Sequence, residues 1–404
     1  MARNSWEDLF GVASDVTNIS TAANTAFGIP LLNHPSFEPG TQTINQRKAV
    51  GTSYRRSGAC LEYIQGASIP TTSFEFDVSP VNIGYFLWSL FQTGSFQGAG
   101  TVYPKYFVPY ENATTEMWLT LVRKLAADGT AASHRIVGAI VKSITLSAEE
   151  GQPLKATVEF QGYSFESNRD TTDDTFTFGT ASCYLWQNAV VTLDGTTVNI
   201  PGFNLTITNN ALTKFYDNST AVRHDVGEFT ATGSFRMPYS QATEGANQQV
   251  DDFIAGSASR LVIYWGNGEI ADADTELSII AHIYRTGVTM SGDDEIVSEV
   301  SFECASEDYS SAVTTATASS IAVSTTAVTG TNTVFSNFSA GDLLYPIGLA
   351  AAGDNTVRVI TAIGSNTAAT VFPAFSGSDS GKLYKVISTP LTITLGDSQS
   401  FTGM

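Results

Sequence analysis

Two stretches of this chain repeat one pattern. "ITLSAEEGQPLKATVEF", from Ile144 to Phe160, and "VTMSGDDEIVSEVSF", from Val288 to Phe302, each run a hydroxyl-bearing strand into an acidic turn and out along an alternating strand that ends in Phe. A lone hairpin cannot bury its apolar face, so each copy must belong to a larger unit. Doubling the hairpin therefore predicts doubling of that unit.

Followed outward, the repeat holds its order. In the first half "SFEFDVSPVNIGYFLWSLF" places Phe74, Phe76 and Val78 on one face of a strand and Glu75 and Asp77 on the other. A short helix follows, with Ser79 suited to its N-cap and Pro80 to its first position. In the second half "EFTATGSFRMPYSQATEGANQQVDDFIAG" gives a strand through Phe235 and Met237, a break at Pro238 and another short helix. Val250, Phe253 and Ile254 form that helix's apolar face, and Gly256 ends it.

Paired strands come next, "EMWLTLVRKL" with "SHRIVGAIVKSITL" and "RLVIYWG" with "TELSIIAHIYRTGVTM", each leading into its hairpin. The second copy also has an entrance strand, "GFNLTIT", in which Phe203, Leu205 and Ile207 alternate with polar neighbours. Ahead of it, Asp194-Gly195 marks a tight turn.

Texture divides the chain. "SNRDTTDDTFTFGT" is polar enough for a linker, and beyond Tyr309 a Thr, Ser and Ala tract leads into short strands between Gly, Asn and Asp turns. The expected fold is all-β. Residues 1–178 form a first β-sandwich or barrel unit with an N-terminal arm and a long loop, and 179–311 form a second, each with a short flanking helix. Residues 312–388 form a small barrel-like or immunoglobulin-like β-module, and 389–404 a closing strand or tail.

Composition narrows the function. With 404 residues, 42% hydrophobic and 15% charged, the chain can fill two or three cores. A formal net charge of -19 argues against a protein that grips nucleic acid through phosphate neutralisation, though not against one that nucleic acid slides past. Cys60, Cys183 and Cys304 are odd in number and far apart, which fits reduced, mostly buried thiols in a cytoplasm. "MARNSWEDLFGVASDV" carries acids where a signal peptide is apolar, and "IGYFLWSLF" is too short to span a bilayer, so no membrane insertion is expected.

Catalytic signals are sparse. His34, His134, His224 and His282 stand in no HExxH or HxH arrangement, so no metal site is expected, and calcium loops are not matched by "DNSTAVRHD" or "SGDDE". No GxSxG elbow, Walker loop or dinucleotide fingerprint occurs. The acidic pairs Glu149-Glu150, Asp173-Asp174, Asp251-Asp252 and Asp293-Asp294 read as solvated turns. Trp88, Trp118, Trp186 and Trp265 read as core and not as sugar platforms. The expectation is no enzyme, no catalytic residues and no cofactor.

The hairpin "ITLSAEEGQPLKATVEFQG", the entrance "VNIPGFNLTITNN" and the strand "GEFTATGSFRMPY" together resemble the tail tube proteins of long-tailed bacteriophages, in the form with two tube domains per chain. The likeness covers roughly residues 40 to 309 and implies stacked rings around a channel through which the genome leaves. Two tube domains per chain imply a pseudo-hexameric ring of three chains. The implied partners are further copies of the chain, a tape measure protein, tail-end proteins and viral DNA passing without specific binding. The implied location is the virion tail, assembled in the host cytoplasm. The segment from "NFSAGDLLYPIG" resembles small β-modules appended to phage structural proteins.

Alternation nominates Glu75, Asp77, Glu159, Glu299 and Glu303 as acids facing either the channel or outer solvent. Arg47, Lys48, Arg55 and Arg56 lie in a long loop of an acidic chain and are candidates for contacts between rings. Alternative readings are a secreted or surface adhesin, or carbohydrate-binding protein, of tandem β-sandwich modules, and a β-sandwich hydrolase with carboxylates facing across a cleft.

Overall fold

Period-two alternation decides most of this structure, because each strand that pairs in register hides one face and wets the other. The computed structural model describes residues 9–15, 25–33, 35–46, 62–92, 95–97, 103–109, 118–125, 132–169, 175–215, 223–238, 246–271, 273–291, 297–306, 320–351, 354 and 356–397. Among them strands dominate and two α-helices occur.

The first half comprises β1 (Thr71–Asp77), α1 (Ile83–Phe91), β2 (Trp118–Leu125), β3 (Ala132–Glu149), β4 (Lys155–Gln161) and β5 (Ser164–Arg169). The second comprises β6 (Gly202–Thr208), β7 (Thr230–Pro238), α2 (Ala246–Ala255), β8 (Ala258–Trp265), β9 (Leu277–Ser291) and β10 (Val297–Cys304), with β11 (Leu391–Asp397) completing it.

The doubling is exact in topology. β1 pairs β4, β4 pairs β3 and β3 pairs β2; likewise β7 pairs β10, β10 pairs β9 and β9 pairs β8. Even the bulge recurs. The register slips between Glu159 and Phe160 on β4 where it crosses β3, and between Arg285 and Gly287 on β9 opposite Phe302 and Ser301. Aligning the bulges makes Ile144, Thr145 and Leu146 the counterparts of Val288, Thr289 and Met290.

A single sheet joins the halves. The C-terminal part of β3 takes β4 on one side and β6 on the other, and β6 pairs onward with β7. Residues 31–33 and 35–38, the described part of segment 31–38, lie along the outer edge of β1: Leu32 N–H donates to Glu75 O at 2.9 Å, and Glu38 and Thr71 exchange both backbone bonds at 3.0 Å. The order is therefore segment 31–38, β1, β4, β3, β6, β7, β10, β9.

One face of this sheet is core. Phe74, Phe76, Val158, Phe160, Leu205, Phe235 and Phe302 are all buried on it, and Phe74 stacks on Phe160 at 5.2 Å. α1 packs onto that face through Phe86, whose ring lies 5.1 Å from Phe76. Each such side chain contributes about 1.5–3 kcal/mol through burial. Trp88, Trp118, Trp186 and Trp265 are all buried.

Local details differ from the sequence reading in four places. α1 starts at Ile83 with Asn82 as its N-cap residue, because the Asn82 side chain accepts the Ser79 N–H at 2.9 Å and donates to Asp77 O at 2.9 Å, closing a turn ahead of the helix. Asp251 and Asp252 lie in α2 and not on a turn, and Asp252 pairs with Arg285 at 2.9 Å to pin the helix on β9. Cys183 is exposed while Cys304 is buried. The apolar face of α2 is largely uncovered: Phe253 and Ile254 are both exposed.

The small β-module is a closed six-stranded barrel running from Ser320–Ser324 to Ser378–Ile387. It interrupts the second half. In the first half β4 reaches β5 through Gly162 and Tyr163 alone, and β5 pairs β3 at Val137, Ile136 and Arg135. In the second, β11 pairs β9 at the counterpart residues Ala281, Ile280 and Ile279, but only after the barrel. The root is tight: His282 O accepts the Ala305 N–H and His282 N–H donates to Pro390 O, both at 3.0 Å.

Several contacts hold the barrel and β11 in place. His282 Nε2 lies 3.6 Å from Asp342, and Tyr106 packs on Phe372 at 4.9 Å within a cluster that includes Val108, Leu343 and Val359. Strand Tyr103–Phe107 comes from the first half to pair β11, where Lys105 meets Asp397 at 3.2 Å, both fully buried. No helix among the described residues is long and apolar enough to cross a membrane.

Candidate functional site

Opposite the core, the joining sheet presents a continuous polar face, since register fixes which side chains stand in a row. One row crosses Asp77, Lys155, Ser147, Asn204, Ser234 and Ser301. The next crosses Glu75, Thr157, Thr145, Thr206, Thr232 and Glu303. Hydroxyls stitch the middle of the sheet, where Thr145 and Thr206 meet at 3.0 Å across the junction of the halves.

All five acids nominated by alternation lie on this face: Glu75 and Asp77 on β1, Glu159 on β4, and Glu299 and Glu303 on β10. Glu159, Glu299 and Glu303 are exposed, and Glu75 and Asp77 are half-buried. Glu159 accepts a hydrogen bond from the Ser143 hydroxyl at 3.0 Å, and Glu75 lies 3.6 Å from Lys155. Burial pushes the Asp77 carboxyl above its usual range, with Lys155 opposing the shift and Glu75 reinforcing it.

Further charged positions of this face were not nominated from the sequence. Glu149, taken as a hairpin-tip acid, ends the polar alternation of β3 and joins the same face; counting in twos from Ser143 reveals it. Lys155 and Arg236 are cations in register on the face, Arg236 standing opposite Glu299. With the exposed Lys142 at the β3 bulge, three cations stand against six strand carboxylates, which leaves the face acidic.

The face is concave. Glu75, Glu149, Lys155, Asn204, Arg236 and Glu299 line a trough of about 680 Å³ that spans both halves. Phe203 and Phe235 are its aromatic lining residues, and no Trp lines it. Among the described residues no group of His, Cys, Asp and Glu is placed to hold a metal ion. Arg47, Lys48, Arg55 and Arg56 lie outside the described residues, as do Cys60, Asp173-Asp174 and Asp293-Asp294.

A family model described as phage tail tube protein matches residues 65–304. The match ends at Cys304, the last residue of β10, where the chain leaves for the barrel. No curated protein matches the chain.

Proposed function

From its membership of the phage tail tube protein family, to which this chain belongs, we propose that it polymerises into stacked rings whose joined channel carries the viral genome out of the particle. One observation carries this reading: the nominated acids of both halves share one polar face on one sheet, with Glu75 of the first half and Glu299 of the second lining one trough in it. That face is the channel wall. The helices and the barrel lie outside it.

Eight strand positions per chain and three chains per ring give about 24 positions. At ~4.8 Å spacing this makes a backbone circle roughly 37 Å across before tilt widens it, enough for a DNA duplex. DNA carries a negative charge about every 1.7 Å of axis, and fields decay over about 8 Å at physiological salt. An acidic wall therefore repels the duplex only on close approach and gives it nothing to grip. Arg47, Lys48, Arg55 and Arg56 are the proposed contacts to the next ring. A tape measure protein and tail-end proteins are the further expected partners.

Negative-stain images of the purified protein test the assembly, with hollow rods or closed rings as the expected result and stable monomers as the result that overturns it. Charge reversal tests the wall. Glu159→Lys with Glu299→Lys should leave rods intact while reducing infectivity at least tenfold, and full infectivity would remove these residues from the bore.

A further inference from the structure

Among the described residues both ends of the joining sheet are open, and the two ends differ in a way the internal repeat makes legible. On the first half, the C-terminal part of β3 is flanked on both sides, by β4 and by β6. On the second half, the counterpart stretch of β9, Gly287 to Ser291, pairs β10 on one side. No strand among the described residues pairs it on the other.

Side-chain exposure follows the same difference. Ile144 and Leu146 are 0% and 2% exposed beneath β6, whereas Val288 is half-buried and Met290 is 45% exposed. The helices agree. Leu90 and Phe91 at the end of α1 are covered by the second half, through Asn209 on the Leu90 carbonyl at 3.3 Å and Phe229 on Phe91 at 5.3 Å. Phe253 and Ile254 at the end of α2 are 42% and 76% exposed.

We infer that segment 31–38 of a second copy of this chain covers that end, seated on β9 as β6 is seated on β3. The inference rests on the ring assembly proposed above and specifies its joint. The occupant follows from the repeat: at Glu38 the segment borders β1 as Thr206 of β6 borders β7, with the match lost toward Leu32, so it holds the place of β6 in the first half at that end. Its outer edge is unpaired among the described strands, and Leu32 on it is 49% exposed, an apolar contribution from the other side of the joint. Joining the two ends would remove two open sheet edges and cover Phe253, Ile254 and Met290 together.

At Glu38 the repeat gives the register. Glu38 pairs Thr71 as Thr206 pairs Thr232, and Thr206 meets Thr145 with hydroxyls 3.0 Å apart. Since Thr145 corresponds to Thr289, Glu38 of one copy faces Thr289 of the next.

The test is a disulfide across the joint. Glu38→Cys with Thr289→Cys, in a Cys183→Ser background and mildly oxidised after assembly, should give cross-linked dimers and trimers on a non-reducing gel, with trimer as the end product. Each single variant should give at least tenfold less. Assembled rings without that excess would overturn the joint and leave the ring function standing; failure of the unaltered protein to form rings or rods would overturn both. Ile254→Asp provides a check free of cysteine chemistry: it should leave the melting temperature of the single chain unchanged and reduce assembly at least tenfold, and assembly at the unaltered level would overturn the joint.

Discussion

At the scale of single residues, polar groups in the interior show what the fold depends on. His224 is buried, its Nε2 donating to the Gly138 carbonyl at 3.2 Å and its Nδ1 facing the Thr213 hydroxyl at 2.9 Å. Burial pushes its pKa down to about 4 from 6.5, so the folded chain refuses a proton that the unfolded chain accepts. Stability should therefore fall as pH drops from 6.5 and level off below 4, by about 3 kcal/mol in all. Urea midpoints at pH 7 and pH 4.5 should drop further for the native chain than for His224→Gln, and equal drops would refute the assignment. Lys105 makes the opposite kind of case. Burial lowers its pKa while Asp397 raises it, and Lys105→Ala would remove the ammonium 3.2 Å from the buried Asp397 carboxylate. The expected cost is about 3–5 kcal/mol, read as a shift in the same urea midpoint. Neither role was legible in the sequence, where His224 and Lys105 sit in stretches that give no sign of burial. The side of the sheet taken by Glu75, Asp77, Glu159, Glu299 and Glu303 was legible, because parity along a strand assigns a face without knowledge of the partner.

At the scale of elements, the repeat was readable where it depended on order and unreadable where it depended on neighbours. "ITLSAEEGQPLKATVEF" announces a hairpin, and the shared sequence of strand, helix, strand, strand and hairpin survives in the pairing of β1 to β4 and β7 to β10. The bulges that align the halves leave no mark on composition. Nor does sequence say that one helix of the pair is sheathed and the other bare, since Val250, Phe253 and Ile254 show core spacing either way. The matched positions Leu146 and Met290 turn this into an experiment. In the single chain Leu146→Ala opens a cavity and should cost about 2–5 kcal/mol. Met290→Ala removes a side chain already in water and should change stability by less than about 0.5 kcal/mol. In rings the Met290 variant should weaken assembly as well, so urea titrations of dilute monomer and of preformed rings separate the contexts.

At the scale of the whole molecule, the barrel shows how a chain can carry an added unit without disturbing its architecture. A module after both halves was the natural reading of the Thr, Ser and Ala tract, because local texture cannot reveal that the last strand returns to an earlier sheet. β11 returns to β9 in the register that β5 holds on β3, and the barrel leaves and re-enters at one residue, His282. Its core, including Ile321, Phe335, Ile360 and Tyr384, forms a cluster of its own. An insertion with adjacent ends imposes little closure cost on its host, so the host should fold without it. Replacing residues 306–389 with an Asn-Gly turn should give a protein that keeps its β-sheet circular dichroism and still forms rings. Its melting temperature should fall by several degrees, because Tyr106 and Val108 lose their cover. A chain that no longer folds would show instead that the barrel, through Asp342 and the Tyr106 cluster, is needed to bring β11 home.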